Sequence, residues 1–360
     1  MTHALAHVLS YSSWFRNARL GVERFELLAR GSAFFAHKRG EKASFREAFV
    51  SAHVAAPYRF RHYFSQDWLE YVQDADCRHV LEFRKRDGAL QLAWPVHRLG
   101  PGGAVRDVDI PAELEHVEQD ARCYQTHEAK MRNQADLLAQ GFNRNGGASG
   151  NCILQDQERR RPIVEHTGDL QHNSGSVIFH PRGYDVAMLR IRDPLAMIQS
   201  LDLLPQSYVP MATTAGCGAP ALGSQVQLCG WELVPGQNPE KLDKEGNAAL
   251  HYTEHNAFMR AVHPSLQLSI PAEGSCTGRH VVESNGILEW GVCGAPVLLP
   301  PMRTADLGMD EPHLLGMLEG RCMLPRTQEP APSLGCLGVF LCVRHILTFF
   351  ENQKQREANR

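Results

Sequence analysis

The stretch "EWGVCGAPVLL", residues 289–299, decides how the rest of the chain is read. Two glycines bracket a cysteine, an alanine and a proline follow, and then an apolar run begins. Pro296 stiffens the exit, and Val297 to Leu299 have the character of a strand. Cys293 is therefore either a buried thiol that sits in a turn or a nucleophile held where it can attack. Cysteine is among the residue types most often found inside proteins, so only its neighbours along the chain can separate the two readings.

Bulk properties narrow the field. The chain has 360 residues, 43% hydrophobic and 21% charged, with a formal charge of -3. That length gives room for one large domain or two ordinary ones, and the charge balance offers no basic field for nucleic acid. No apolar run approaches a membrane span: the best, "GVFLCV", is halted by Arg344 and His345. Ten cysteines are scattered without a CxxC pair, which removes the usual spacing of a structural zinc site. No cofactor signature is present. With no permitted Asn-x-Ser/Thr acceptor and no secretory apolar region, the composition points to a reducing intracellular compartment, cytosolic or mitochondrial. The opening "MTHALAHVLSYSSWFRNARLGV" carries two arginines and no acid before Glu23. It fits either an amphipathic mitochondrial leader or a capping N-terminal helix.

Beyond it, β signals dominate. "HVLEFRKRDGALQLAWPV" reads as a hairpin, with Leu81 and Phe83 alternating on one arm and Leu90, Leu92 and Trp94 on the other. Asp87-Gly88 supplies the turn. "GSAFFAHKR", "EAFVSAHV", "GSVIFH", "DVAMLRI", "GSQVQLCGW", "APVLL", "HLLGML" and "GCLGVFL" are further strand candidates. Many short strands with Gly and Pro turns argue for barrels or sandwiches rather than a parallel sheet. One segment departs from this: over about 111–141, Leu114, Val117, Ala121, Tyr124, Met131, Ala135 and Leu138 recur at steps of three and four. That spacing predicts a long inserted helix, packed on its own barrel or serving as a docking surface for a protein partner.

Taken in chain order, "FVSAHVAAP", "GYDVAMLRI", "GSQVQLCGWEL", "EWGVCGAPVLL", "HLLGMLEG" and "GCLGVFLCVRHILTFFEN" resemble the successive landmarks of the chymotrypsin-like, trypsin-fold peptidases. The resemblance spans most of residues 30–354, with cysteine where that family usually has serine. It implies an all-β fold of two antiparallel six-stranded β-barrels, with an inserted long helix and a C-terminal helix. Residues 1–23 would be the leader or capping segment. The first barrel would run over 24–200 with the helical insertion, and the second barrel with the C-terminal helix over 201–360. The resemblance also implies His53 as general base, Asp185 as its orienter and Cys293 as the attacking group. The N–H groups of Gly291 and Cys293 would converge on a developing oxyanion. Asp193 competes with Asp185, but only Asp185 is followed by an apolar strand.

The implied activity is a cysteine-type endopeptidase acting on polypeptide through a thioester. The alternative is a catalytically inactive trypsin-fold protein serving as a structural or interaction subunit, which the long insertions suit. Val292 stands where secreted members of the family carry an acid that pairs with a freed N-terminus, so activation by N-terminal cleavage is not expected. The pocket floor expected around Ile287 and Leu288 carries no acid to select basic side chains. A second motif, "HYTEH" at 251–255, matches the H-x-x-E-H pattern of inverted zinc metallopeptidases. There His251 and His255 would bind zinc and Glu254 would activate water. The other reading of those residues is an exposed loop or short helix.

Overall fold

The structure is a computed structural model. It describes residues 8–38, 45–61, 64, 66–86, 88–96, 98–99, 105–106, 177–180, 183–191, 194–201, 211–213, 221–233, 250–260, 279–289, 291–300, 312–321 and 336–359. The helix expected over 111–141, together with Asp87 and Asp193, lies outside the described residues.

The first nine strands are β1 (Val8–Asn17), β2 (Val22–Lys38), β3 (Glu47–Val50), β4 (Cys77–Arg84), β5 (Leu90–Pro95), β6 (Arg98–Leu99), β7 (Val105–Arg106), β8 (Val177–Phe179) and β9 (Ala187–Arg190). The next seven are β10 (Met211–Thr213), β11 (Gln225–Leu233), β12 (Leu250–Arg260), β13 (Arg279–Ser284), β14 (Pro296–Leu299), β15 (His313–Arg321) and β16 (Cys336–Cys342). Three helices matter to the architecture: α1 (Ala52–Ala55), α2 (Pro194–Ser200) and α3 (Val343–Ala358).

The C-terminal strands close on themselves. Pairings run β14-β11-β12-β13-β16-β15, and β15 returns antiparallel to β14, giving a closed six-stranded barrel. The N-terminal strands form a second sheet in the order β8-β9-β3-β2-β1-β4-β5, open among the described residues. Among the described residues, β6 and β7 pair only with each other. Short β10 runs parallel to both β2 and β15 and joins sheet to barrel. The fold is thus mostly β with few helices. No helix among the described residues is long and apolar enough to cross a membrane.

Period-2 alternation explains where the cores fall. Leu9, Tyr11, Ala33, Phe35, Ala48, Val50, Ala187 and Leu189 face a core inside the first sheet. Their neighbours Val8, Phe34, Phe49 and Met188 point the other way, against Cys229, Trp231, Leu298, Leu314 and Met317 of the barrel and Ile346, Phe349 and Phe350 of α3. The barrel interior is a third core, built on Val226, Leu228, Val282, Val297, Leu318 and Phe340. The middle core belongs to both units, so sheet and barrel share one apolar seam.

One expectation needs correcting. Val8–Asn17 is a core strand between β2 and β4, not a capping helix. Its Ser10, Ser12 and Ser13 are fully buried. Ser12 donates a hydrogen bond to Glu82 of β4 and Ser13 one to Val54 O of α1, so small hydroxyls occupy core positions that usually go to apolar groups. The sequence signal for the hairpin was sounder: Leu81 pairs with Trp94 and Phe83 with Leu92. Gly88 takes φ 90 in its turn.

A buried charge cluster locks β1, β2 and β4 together. Glu82 accepts hydrogen bonds from Ser12 Oγ, from Arg30 Nη2 at 3.1 Å and from Arg84 Nε at 2.9 Å. Burial alone would raise its pKa, but Arg30, Arg84 and these hydrogen bonds hold it down to about 2. Its stabilising contribution is therefore complete above the ordinary 4.5 and is lost as pH falls through about 2. Glu82→Gln strands two guanidinium charges in the interior and should cost about 3–5 kcal/mol at neutral pH. The measurement is the urea midpoint at pH 7 and pH 3, and the variant should lose less than wild type between them. A loss under about 1 kcal/mol, the scale of an exposed pair, would mean that this cluster does not hold the strands.

Candidate active site

Three segments from distant parts of the chain converge at the seam. β3 ends at Val50, and Ser51 leads into α1, a four-residue helix. The turn between β8 and β9 carries Asp185. The loop Gly291–Ala295 precedes β14. This brings together three residues singled out from sequence: His53, Asp185 and Cys293.

Asp185 is 1% exposed, so each carboxylate oxygen needs a donor. Its Oδ1 accepts the backbone N–H of His53 at 2.7 Å. Its Oδ2 lies 2.6 Å from His53 Nδ1 and accepts from Ser51 Oγ at 2.8 Å. Ser51, which the sequence reading passed over, therefore holds the carboxylate from the residue before the helix; its Oγ also lies 2.7 Å from His53 Nδ1. With Nδ1 committed, Nε2 is the ring nitrogen left for Cys293, which stands near enough to the imidazole to help raise its pKa. Phe64 tilts against the ring, its centroid 6.0 Å away.

The electrostatics follow from burial and charge. Burial lowers the His53 pKa, but the Asp185 charge and hydrogen bond, with lesser help from Cys293, overcome it and raise the pKa to about 10. Asp185 moves the other way: burial would raise it, and the His53 charge with the hydrogen bonds holds it below the ordinary carboxylate value. Nearby Glu319 is fully buried at a bulge of β15. Burial first and the Asp185 charge second push it up to about 7, against the pull of Arg279. Arg279 Nε donates to its Oε2 at 2.7 Å.

The cysteine loop is fixed by close backbone approach. Gly291 has φ 102 and Gly294 φ 90. A Cβ at Gly294 would stand 2.1 Å from Ser32 O, and one at Gly31 would stand 2.7 Å from Cys293 O. Ser32 N–H donates to Cys293 O at 2.8 Å. Ser32 Oγ donates to Gly291 O at 3.1 Å and accepts from Trp231 N–H at 2.9 Å. On the barrel side, Gly294 N–H donates to Leu318 O and Leu318 N–H to Ala295 O. Among the described residues, no backbone acceptor pairs with the N–H of Gly291 or of Cys293.

The second motif has lost its geometry. His251, Glu254 and His255 lie in β12, a strand, where positions four apart sit roughly 13 Å from each other. A helical turn, which would bring the two imidazoles onto one metal, is not what these residues form. Gln227 Nε2 donates to Glu254 at 2.9 Å, and His255 pairs with Glu232 at 3.0 Å. No group of three or more His, Cys, Asp or Glu among the described residues could hold a metal ion. The expected pocket floor is also displaced: Leu288 is buried in the barrel core, whereas Ile287 is 64% exposed.

No family model matches the chain, and no curated protein matches it. Among solved structures, the active form of the Rv3671c protease from M. tuberculosis aligns with 97% of this chain and 81% of its own length, at 12% identity and a TM-score of 0.37.

The folded state binds the His53 proton more tightly than the unfolded chain does. The stability this contributes is complete below about pH 6.5 and is lost as pH rises through about 10. NMR titration of His53 should find the ring protonated throughout the neutral range, and Asp185→Asn should bring its titration down toward the ordinary value. A His53 that titrates near 6.5 in wild type would sink the charged-pair description.

Proposed function

We propose that this chain is a trypsin-fold peptidase that hydrolyses peptide bonds with a cysteine nucleophile. The observation that carries the reading is one imidazole bonded to a buried carboxylate, with the thiol of Cys293 near enough to act on the same ring. In this reading His53 accepts the thiol proton, so the two groups form an imidazolium–thiolate pair. The sulfur attacks the scissile carbonyl carbon, and the C=O electrons move onto oxygen. That oxyanion is held by the N–H groups of Gly291 and Cys293. Collapse breaks the C–N bond, with His53 passing its proton to the leaving amine. Water, deprotonated by His53, then releases the acid from the thioester and restores the thiol. Asp185 keeps the ring in orientation throughout and is not itself protonated.

The same proposal carries the finer architecture: two barrels, residues 24–200 supplying base and orienter and 201–360 supplying the nucleophile, with the N-terminal sheet curling toward closure. The described cysteines are free, which suits a reducing compartment and a polypeptide substrate met inside the cell.

The test joins labelling to turnover. Iodoacetamide should alkylate Cys293 far faster than Cys77 or Cys229, and His53→Ala should remove that advantage. On a peptide library, Cys293→Ala should abolish cleavage, and His53→Ala should lower kcat/KM by about 10²–10⁴-fold. Labelling of Cys293 no faster than of the other cysteines, with no cleavage by wild type, would make the chain a trypsin-fold scaffold without activity.

A further inference from the structure

Glu232, near the end of β11, is 1% exposed, and a carboxylate that deep persists only when paired and hydrogen-bonded. Its Oε2 lies 3.0 Å from His255 Nε2. Its Oε1 accepts the backbone N–H of Glu289 at 3.3 Å. Glu289 stands two residues before Gly291, so this carboxylate grips the segment that delivers the cysteine loop. His255 presses on the same segment further back: a Cβ at Gly286 would come within 2.8 Å of its Nδ1. The backbone beside Glu232 meets the loop as well. A Cβ at Gly291 would stand 2.6 Å from Trp231 O and 3.5 Å from Glu232 Cα. One pair of side chains, with the backbone that carries it, therefore touches the loop's approach at residues 286, 289 and 291.

None of these groups is needed to activate the thiol, since His53 and Asp185 do that from the other sheet. What the pair can govern is the direction of the Gly291 peptide. A glycine at φ 102 has no side chain to fix it, and its N–H is useful only while it points at the developing oxyanion. We propose that Glu232 and His255 are positioning residues for the oxyanion-binding turn, holding Gly291 in the orientation that acyl transfer requires. The proposal rests on the peptidase reading of Cys293. It also gives the second histidine of "HYTEH" a role as the hydrogen-bond partner of a buried carboxylate in place of a metal ligand.

Two reactions at the same sulfur separate this role from thiol activation and from general support of the fold. Iodoacetamide reacts at a saturated carbon, forming C–S as iodide leaves, and no oxyanion develops. p-Nitrophenyl acetate acylates through a tetrahedral oxyanion, forming C–S as p-nitrophenolate leaves. Both rates are read at Cys293 by peptide mass spectrometry on the full chain, for wild type, Glu232→Gln, His255→Ala and His255→Gln. The expected result is acetylation slowed about 10²–10³-fold in Glu232→Gln and His255→Ala, the cost of losing one oxyanion donor, with alkylation within about twofold of wild type. His255→Gln, whose amide can still donate to Glu232, should recover most of the acetylation rate. Unchanged acetylation in Glu232→Gln and His255→Ala would overturn the proposal. So would a parallel fall in both reactions, which marks a merely structural pair. Failure of the peptidase reading shows separately, as wild-type alkylation that does not depend on His53.

Discussion

A carboxylate cut off from water must draw its hydrogen bonds from protein, and Asp185 draws three from one short segment. The N–H of His53, the ring of His53 and the hydroxyl of Ser51 supply all three. That concentration of donors explains why α1 is only four residues long and sits directly after β3. The helix turns the backbone so that an N–H and a side chain of the same residue reach the two oxygens of one carboxylate. Asp185 can be reached at all because β9 pairs with β3, which puts the turn before β9 beside the end of β3. Local geometry and sheet order thus fix the imidazole before the sulfur is considered.

The sulfur arrives from the other unit, and Ser32 is the joint. It sits on β2, the 17-residue strand that pairs with β1 and β3 of the first sheet and with the bridging β10. Its N–H and Oγ bind the carbonyls of Cys293 and Gly291, while Oγ also takes the Trp231 N–H of the barrel. Such approach requires missing side chains, and glycine stands at 31, 230, 291 and 294 where a Cβ would crowd this joint. The glycines that marked the turn in the sequence serve a backbone-to-backbone contact across the seam as much as the turn itself.

What sequence made legible was whatever depends on local pattern. The hairpin over Cys77–Pro95 follows from alternation and a Gly turn. The final helix and the set His53, Asp185 and Cys293 come only from the resemblance that the short motifs around them carry. What escaped was whatever depends on tertiary partners. β1 hid because buried serines look like surface ones until their acceptors are known. β12 hid because "HYTEHNAFMR" mixes polar residues into a strand, half-buried at His251, Thr253 and His255 and exposed at Glu254, Asn256 and Arg260, with His255 paired to Glu232. Ser51, Ser32 and Glu232 carry no motif. A serine two residues before a candidate histidine could have been flagged as a capping hydroxyl, but nothing in sequence links it to a carboxylate 134 positions away.

A site divided between two units works only if their relation is rigid, because a displacement near 1 Å across reacting groups costs orders of magnitude in rate. The seam is built accordingly. Phe34 and Phe49 of the sheet, Trp231 and Met317 of the barrel and Ile346, Phe349 and Phe350 of α3 share one core, and Phe49 meets Phe350 edge-on at 6.1 Å. Close-packed interiors transmit displacement rather than absorb it, so α3, packed across the outside of both units, bears on the distance between imidazole and sulfur without touching either. The charge layout depends on the same rigidity. His53 lies within the field of Asp185 and of Glu319, one from each unit, while Arg279 offsets the second carboxylate. A shift of barrel against sheet would alter both the reach of the thiol and the field that keeps the imidazole charged, which ties the packing of the seam directly to the chemistry proposed there.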